Sequence, residues 1–235
     1  MRYWIPLSFV FISFFTFANE TTEKEKHQEK NQNDPTKVTT KIGLSYTDDL
    51  SISGSLALDK VHKINVRTNF DATEWRLGGS WLFDFGILNL SLSRSEYDNG
   101  GHKNNYAVGT FLPLSVLGVD TGKWIVFPMA GFSHNTGETV VKDETTLENS
   151  VVMQQNTSNG GYIGGVVLRP ITEYWTVLAF GGGGLGSDDY SNYWVGTGLG
   201  YKFNTRHSLN LFGFISDDNY GRINKLGMAY TYEFK

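Results

Sequence analysis

The sequence predicts an all-β chain, a transmembrane antiparallel up-and-down β-barrel of about twelve strands, with ten as the alternative. Three observations carry that prediction. The closing stretch, residues 221–235, alternates strictly. Leu226, Met228, Tyr230, Tyr232 and Phe234 fall on one face, and Lys225, Gly227, Ala229, Thr231 and Glu233 on the other. Side chains alternate across a strand, so this is a ribbon with one greasy face and one polar or small face. The same alternation starts near residue 38 and barely stops. Past the N-terminus there is no apolar run of about 18 residues, so a helical membrane protein is excluded. A barrel hides its membrane signal, because every second residue is polar.

The N-terminus reads as a processing segment. Arg2 supplies a positive charge, residues 5–17 an apolar core, and Thr16-Phe17-Ala18 a small-x-small cleavage site. Residues 1–18 are therefore expected to be a signal peptide. Residues 19–37 hold almost no apolar side chain and a mixed charge run, ETTEKEKHQEK among them. Such a segment buries too little surface to fold alone and is expected to be a disordered tether. His27 stands in it without a second ligand at metal spacing.

Residues 38–235 form the expected barrel. Outward sets begin with Ile42, Leu44 and Tyr46, then Leu50, Ile52, Leu56 and Leu58, then Ile64 and Val66. They continue through Trp75, Leu77, Trp81 and Phe83, through Leu88, Leu90 and Leu92, and through Tyr106 and Val108. The second half gives Trp124, Val126, Ala130 and Phe132, then Val166 and Leu168, then Trp175, Val177 and Ala179. Tyr193, Val195, Leu199 and Tyr201 follow, then Leu209, Leu211 and Ile215, then the closing strand. Aromatics, Trp194 included, gather near the strand ends, where amphipathic rings favour the water–lipid boundary. The connections alternate as well. Residues 84–85, 171–173 and 204–206 are tight turns, while 96–103, 135–160, 186–191 and 217–221 are longer and polar. Residues 113–122 break that rule. The strand pairs around Asp48-Asp49 and Asp59-Lys60 are the ones on which twelve or ten depends.

The strand ending one residue after an aromatic, Tyr230-Thr231-Tyr232-Glu233-Phe234-Lys235, resembles the closing strand of Gram-negative outer-membrane β-barrel proteins. In that family the assembly machinery reads the terminal aromatic, usually the last residue; here Lys235 follows it. The resemblance implies an outer-membrane location with both termini periplasmic. It implies Tyr230, Tyr232 and Phe234 as the assembly signal, and outer-membrane lipid, lipopolysaccharide and the assembly machinery as partners.

Composition bounds the chemistry. The 235-residue chain has no cysteine, which removes disulfides and thiolate metal sites, and a net charge of −4, which gives no nucleic-acid footprint. Lys41, Lys63, Arg67, Arg76, Arg169, Lys202 and Lys225 fall on the expected lumen face, with Glu233 the clear acid. A basic lumen lowers the barrier for anions, so Lys63, Arg67, Arg76, Arg169 and Lys225 are the candidate selectivity residues. The acidic pairs Asp48-Asp49, Asp188-Asp189 and Asp217-Asp218 sit at hairpin ends and read first as turn residues. Catalysis would need a Ser or His with a partner at a rim. His134 with Ser133 and His102 with Glu96 are the candidates, and neither matches a known pattern of outer-membrane enzymes. The expectation is a small porin-like channel without enzymatic chemistry, metal or cofactor, with a structural or surface-interaction barrel bearing acidic outer loops as the alternative, and an outer-membrane lipid-modifying enzyme as the last.

Overall fold

The alternation closes into a ring. The structure, a computed structural model, describes residues 30–98, 100–143 and 150–234, and between 140 and 152 the backbone alone. The expected signal peptide and the first part of the tether, residues 19–29, lie outside the described residues. Twelve strands are formed: β1 (Lys41–Tyr46), β2 (Leu50–Ala57), β3 (His62–Asn69), β4 (Trp75–Phe83), β5 (Gly86–Glu96) and β6 (His102–Phe111), then β7 (Ile125–Asp143), β8 (Ser150–Pro170), β9 (Trp175–Gly186), β10 (Ser191–Lys202), β11 (His207–Asp218) and β12 (Gly221–Glu233). Each pairs antiparallel with its sequence neighbours, and β1 pairs with β12, Lys41 opposite Glu233, which closes the barrel. Closure gives every strand of the ring a partner on both sides, the condition for a sheet to span lipid. Both doubtful hairpins form: β1 pairs with β2 from Lys41↔Ser55 to Tyr46↔Leu50, and β2 with β3 from Ser51↔Asn69 to Ala57↔Lys63. The count is twelve.

The first strand begins and the last strand ends at one rim, the terminal rim, and the opposite one is the far rim. The tight turns lie at the terminal rim. Asp59 shapes one of them, accepting from the amides of Val61 and His62 at 2.7 Å each and touching the His62 ring at 2.6 Å. Those bonds hold its carboxyl down at about 2. The connection at 113–122, long for this rim, contains a single 3-10 turn, Leu114–Leu117, ended by Gly118 at φ 74°. That φ lies in the left-handed region glycine tolerates. Its Val116, Leu117 and Val119 are exposed.

The outer face is the apolar one. Leu44, Leu56, Val66, Leu90, Phe132, Val195 and Leu226 are all solvent-accessible on it. Inward positions of β1–β6 are mostly Ser, Asn and Gly, and Ser45, Ser51, Ser55, Asn69 and Ser80 are buried. Aromatic side chains ring the terminal rim: Trp81, Phe83 and Phe85 stack in series, Trp175 meets Tyr201, and Tyr232 meets Phe234 at 4.9 Å.

One strand runs opposite to its sequence reading. In β8 the outward residues are Ile163, Gly165 and Val167, which pair with Ala130, Pro128 and Val126 of β7. Val166 therefore lines the lumen and Leu168 is wholly buried, where the sequence placed both outward. Arg169 shifts with them. It lies on the outer face at the terminal rim, its guanidinium 4.8 Å from the Trp124 ring. Trp194, read as a boundary aromatic, points into the lumen beside Tyr162.

β7 and β8 continue past the rest of the barrel. The expected loop of 135–160 is a paired hairpin extension, running in register from Asn135↔Ser158 to Asp143↔Ser150. Its connection, 144–149, lies outside the described residues.

Candidate functional site: the lumen

The interior is divided into two walls. β1–β6 present Ser and Asn side chains with Arg67 and Arg76. β7–β11 present Met129, Tyr162, Val166, Phe180, Trp194 and Phe214. Between them lies a cavity of about 850 Å³ lined by both sets. The aromatic wall exists because glycines face it. Gly109 and Gly131 are cross-strand partners on β6 and β7, and a Cβ on either would collide with the Tyr162 phenol. The Tyr162 phenol therefore packs against bare backbone. A Cβ at Gly182 would come within 2.5 Å of the Trp194 ring. In the glycine run at 181–184, Gly182 thus allows that close approach.

The lumen cations divide by what they touch. Lys225 pairs with Glu74. Lys103 pairs with Asp218. Lys37 reaches Glu233 at 2.8 Å. Lys63 donates to two carbonyls, Pro35 at 3.2 Å and Lys37 at 2.7 Å. Arg67 and Arg76 are different. They sit directly opposite each other across β3 and β4, both line the cavity, and among the described residues neither has a carboxylate partner. Like charges directly opposite on a sheet repel. Of the five residues the sequence proposed, Lys63, Arg67, Arg76 and Lys225 face inward, and Arg169 does not.

Lys63 belongs to a plug. Residues 30–37, expected as part of a disordered tether, lie in the terminal mouth. Asn31 donates to the Thr176 hydroxyl at 2.9 Å and Asn33 to the Asn210 side-chain oxygen Oδ1 at 3.1 Å. Asp34 accepts from the Thr36 amide at 2.8 Å and its hydroxyl at 2.7 Å, and Thr36 is buried. The segment thus spans the mouth from β3 to β9 and β11. A polar chain holds this place because the barrel offers it polar partners on each side.

The far end carries a tyrosine cluster that sequence reasoning missed. Tyr97, Tyr190 and Tyr220 are buried together beside Ile223. Asp218 organises them: it accepts from the Tyr97 hydroxyl at 3.2 Å and from the Tyr220 and Gly221 amides at 2.8 and 3.1 Å, and it pairs with Lys103. The Tyr220 hydroxyl donates to the Asn156 carbonyl at 3.2 Å, tying the cluster to the base of the hairpin. Burial, with the Asp218 charge adding to it, pushes the phenols of Tyr97 and Tyr190 up and that of Tyr220 to about 12. The signal was present in the sequence: each tyrosine adjoins an acidic or Asn-containing turn, Tyr97-Asp98, Asp189-Tyr190 and Asn219-Tyr220.

The catalytic candidates do not assemble. Ser133 lines the lumen cavity, whereas His134, the next residue, lies on the outer face against Tyr106 and bonds Asn159 at 2.7 Å. They point to opposite faces of β7. His102 stands opposite Glu96 on one side and Glu138 on the other, 3.9 Å from the latter carboxylate. No nucleophile accompanies it in these contacts. Tyr230, Tyr232 and Phe234 lie on the outer aromatic band of the terminal rim, with His207 between the first two.

Comparison with solved structures agrees with this architecture. The chain is similar to the translocator domain of the autotransporter NalP from Neisseria meningitidis, with a TM-score of 0.55 at 11% identity over 86% of this chain and 90% of that one. This protein has the fold of the Gram-negative outer-membrane β-barrels. The KdgM porin aligns more loosely, with a TM-score of 0.44 at 7% identity over 84% of this chain and 100% of that one. The beta domain of the Bordetella autotransporter Brka does so with a TM-score of 0.43 at 12% identity over 83% and 99%. No protein-family model and no curated protein matches the sequence.

Proposed function

We propose that the protein is a narrow, porin-like outer-membrane channel for small anions, with its terminal rim toward the periplasm and no chemistry of its own. The observation that carries this reading is the Arg67–Arg76 pair, two guanidiniums that face the cavity and have no carboxylate partner among the described residues. Their field attracts anions and repels cations in a low-dielectric passage. Lys225 contributes less, because Glu74 pairs with it, and Lys63 adds its charge at the terminal mouth, where it holds the carbonyls of Pro35 and Lys37. The segment at 30–37 narrows the periplasmic mouth, and the tyrosine cluster narrows the other. Tyr230, Tyr232 and Phe234 form the signal read by the assembly machinery, and the outer face contacts lipid and lipopolysaccharide.

Planar bilayers with the refolded mature protein test the reading. Under a KCl gradient the reversal potential should indicate chloride preference. The double variant Arg67→Gln, Arg76→Gln should move it toward cations, and deletion of residues 20–37 should raise the conductance. Silent bilayers from both proteins would remove the channel. The projecting β7–β8 hairpin would then favour a surface-interaction barrel.

A further inference from the structure

The interior is more specific than a passive pore requires. A selectivity filter needs a field, and a ring of any cations supplies one. Here two guanidiniums without a carboxylate partner among the described residues are placed side by side as one cross-strand pair, Arg67 and Arg76. On the other wall the Trp194 indole meets the Tyr162 ring edge-on, with centroids 6.0 Å apart and planes at 72°. All four side chains line the same cavity.

Each half of this arrangement implies the other half of a ligand. Two guanidiniums side by side are donors only, and the guanidinium fork matches a carboxylate. The opposing rings provide flat apolar surface, which a hydrated inorganic ion cannot use. The chamber, about 850 Å³, falls in the range of roughly 300–1,000 Å³ usual for small-molecule sites. An anion between the arginines would also relieve the repulsion that their direct opposition creates.

We propose that the lumen is a binding site for a small aryl carboxylate, its carboxylate held by Arg67 and Arg76 and its ring laid against Tyr162 and Trp194. The site rests on the anion-channel reading for its inward-facing arginines, but it requires saturable binding, which a passive channel does not.

Benzoate is the probe. Binding to the full mature chain, refolded in detergent micelles, is followed by ligand-detected NMR, with empty micelles subtracted. Acetate supplies the carboxylate without the ring, and benzyl alcohol the ring without the carboxylate. Benzoate should saturate at one site per barrel. Acetate and benzyl alcohol should each bind about tenfold or more weakly, and Arg67→Gln, Arg76→Gln should weaken benzoate by about tenfold or more, as expected for losing charge-assisted hydrogen bonds. The double variant removes a like-charge pair, so it should fold, and heat-modifiable gel mobility verifies that. Trp194→Leu should weaken benzoate and leave acetate unchanged. Acetate binding as tightly as benzoate, or benzoate binding that survives the double variant, would overturn the site. Saturable benzoate binding with silent bilayers would leave the site and remove the channel. Anion-selective currents without saturable binding would do the reverse.

Discussion

Residues 90 and 91 show how one step along a strand changes the solvent. Leu90 is on the outer face, opposite Gly79 on one side and Val108 on the other. Ser91 lines the lumen. An arginine at 90 would carry its charge into lipid, while one at 91 would enter a polar interior. Leu90→Arg should therefore cost about 2–4 kcal/mol if it sits near the bilayer midplane, and Ser91→Arg clearly less. Unfolding titrations of the two variants in detergent or lipid check this; equal costs, or the reverse order, would invert the facing of β5. The sequence read this strand correctly because its two faces differ so sharply, Leu88, Leu90 and Leu92 against Asn89, Ser91 and Ser93. β8 had no such contrast. Val166, Val167 and Leu168 are apolar on both faces, since the lumen there is an aromatic wall and not a polar one, so period two carries no sign. The misplacement of Arg169 follows from that alone.

The strands were legible as elements, and the segments that close the barrel were not. Alternation reports which face a residue takes, but it says nothing of what a polar, non-periodic stretch does once a polar interior is available to it. Residues 30–37 could not fold alone, and they are placed by Thr176, Asn210 and Lys63, whose contributions become visible only when the ring is closed. The tyrosine cluster escaped for the same reason: three turns far apart in sequence meet at one rim. Its burial gives it a pH signature. Each phenol is raised above its ordinary value near 10, and Tyr220 reaches about 12. A raised phenol means that the folded state keeps its proton after the unfolded state has lost it. The cluster's contribution to stability is thus complete below about pH 10 and falls as the pH rises toward 12. Absorbance at 295 nm should show a tyrosine fraction that does not ionise until near pH 12, and that fraction should shrink in Asp218→Asn if Asp218's charge contributes as its position implies. Uniform ionisation near pH 10 would mean that the cluster is open to water.

Taken whole, the molecule separates a rigid ring from one projecting arm, and that separation decides its topology test. β7 pairs with β6 only as far as Glu138↔His102, and β8 with β9 only as far as Gly160↔Gly186. Beyond those points the two strands pair only with each other, up to Asp143↔Ser150. The extension therefore contributes no hydrogen bond to the ladders that close the barrel. Removing residues 139–155 should leave folding and heat-modifiable mobility intact, although the Asn156-to-Thr139 bond is lost. An arm at the far rim, opposite the termini, is also the first part an external protease would meet if the termini are periplasmic, because protruding tips are the preferred sites of nicking. Protease added to intact cells should cut between β7 and β8 and nowhere in the strands, leaving two fragments that stay together until heated. Cleavage seen only after lysis would place this rim in the periplasm and reverse the orientation. It would leave the ring, its inward arginines and its aromatic wall unchanged.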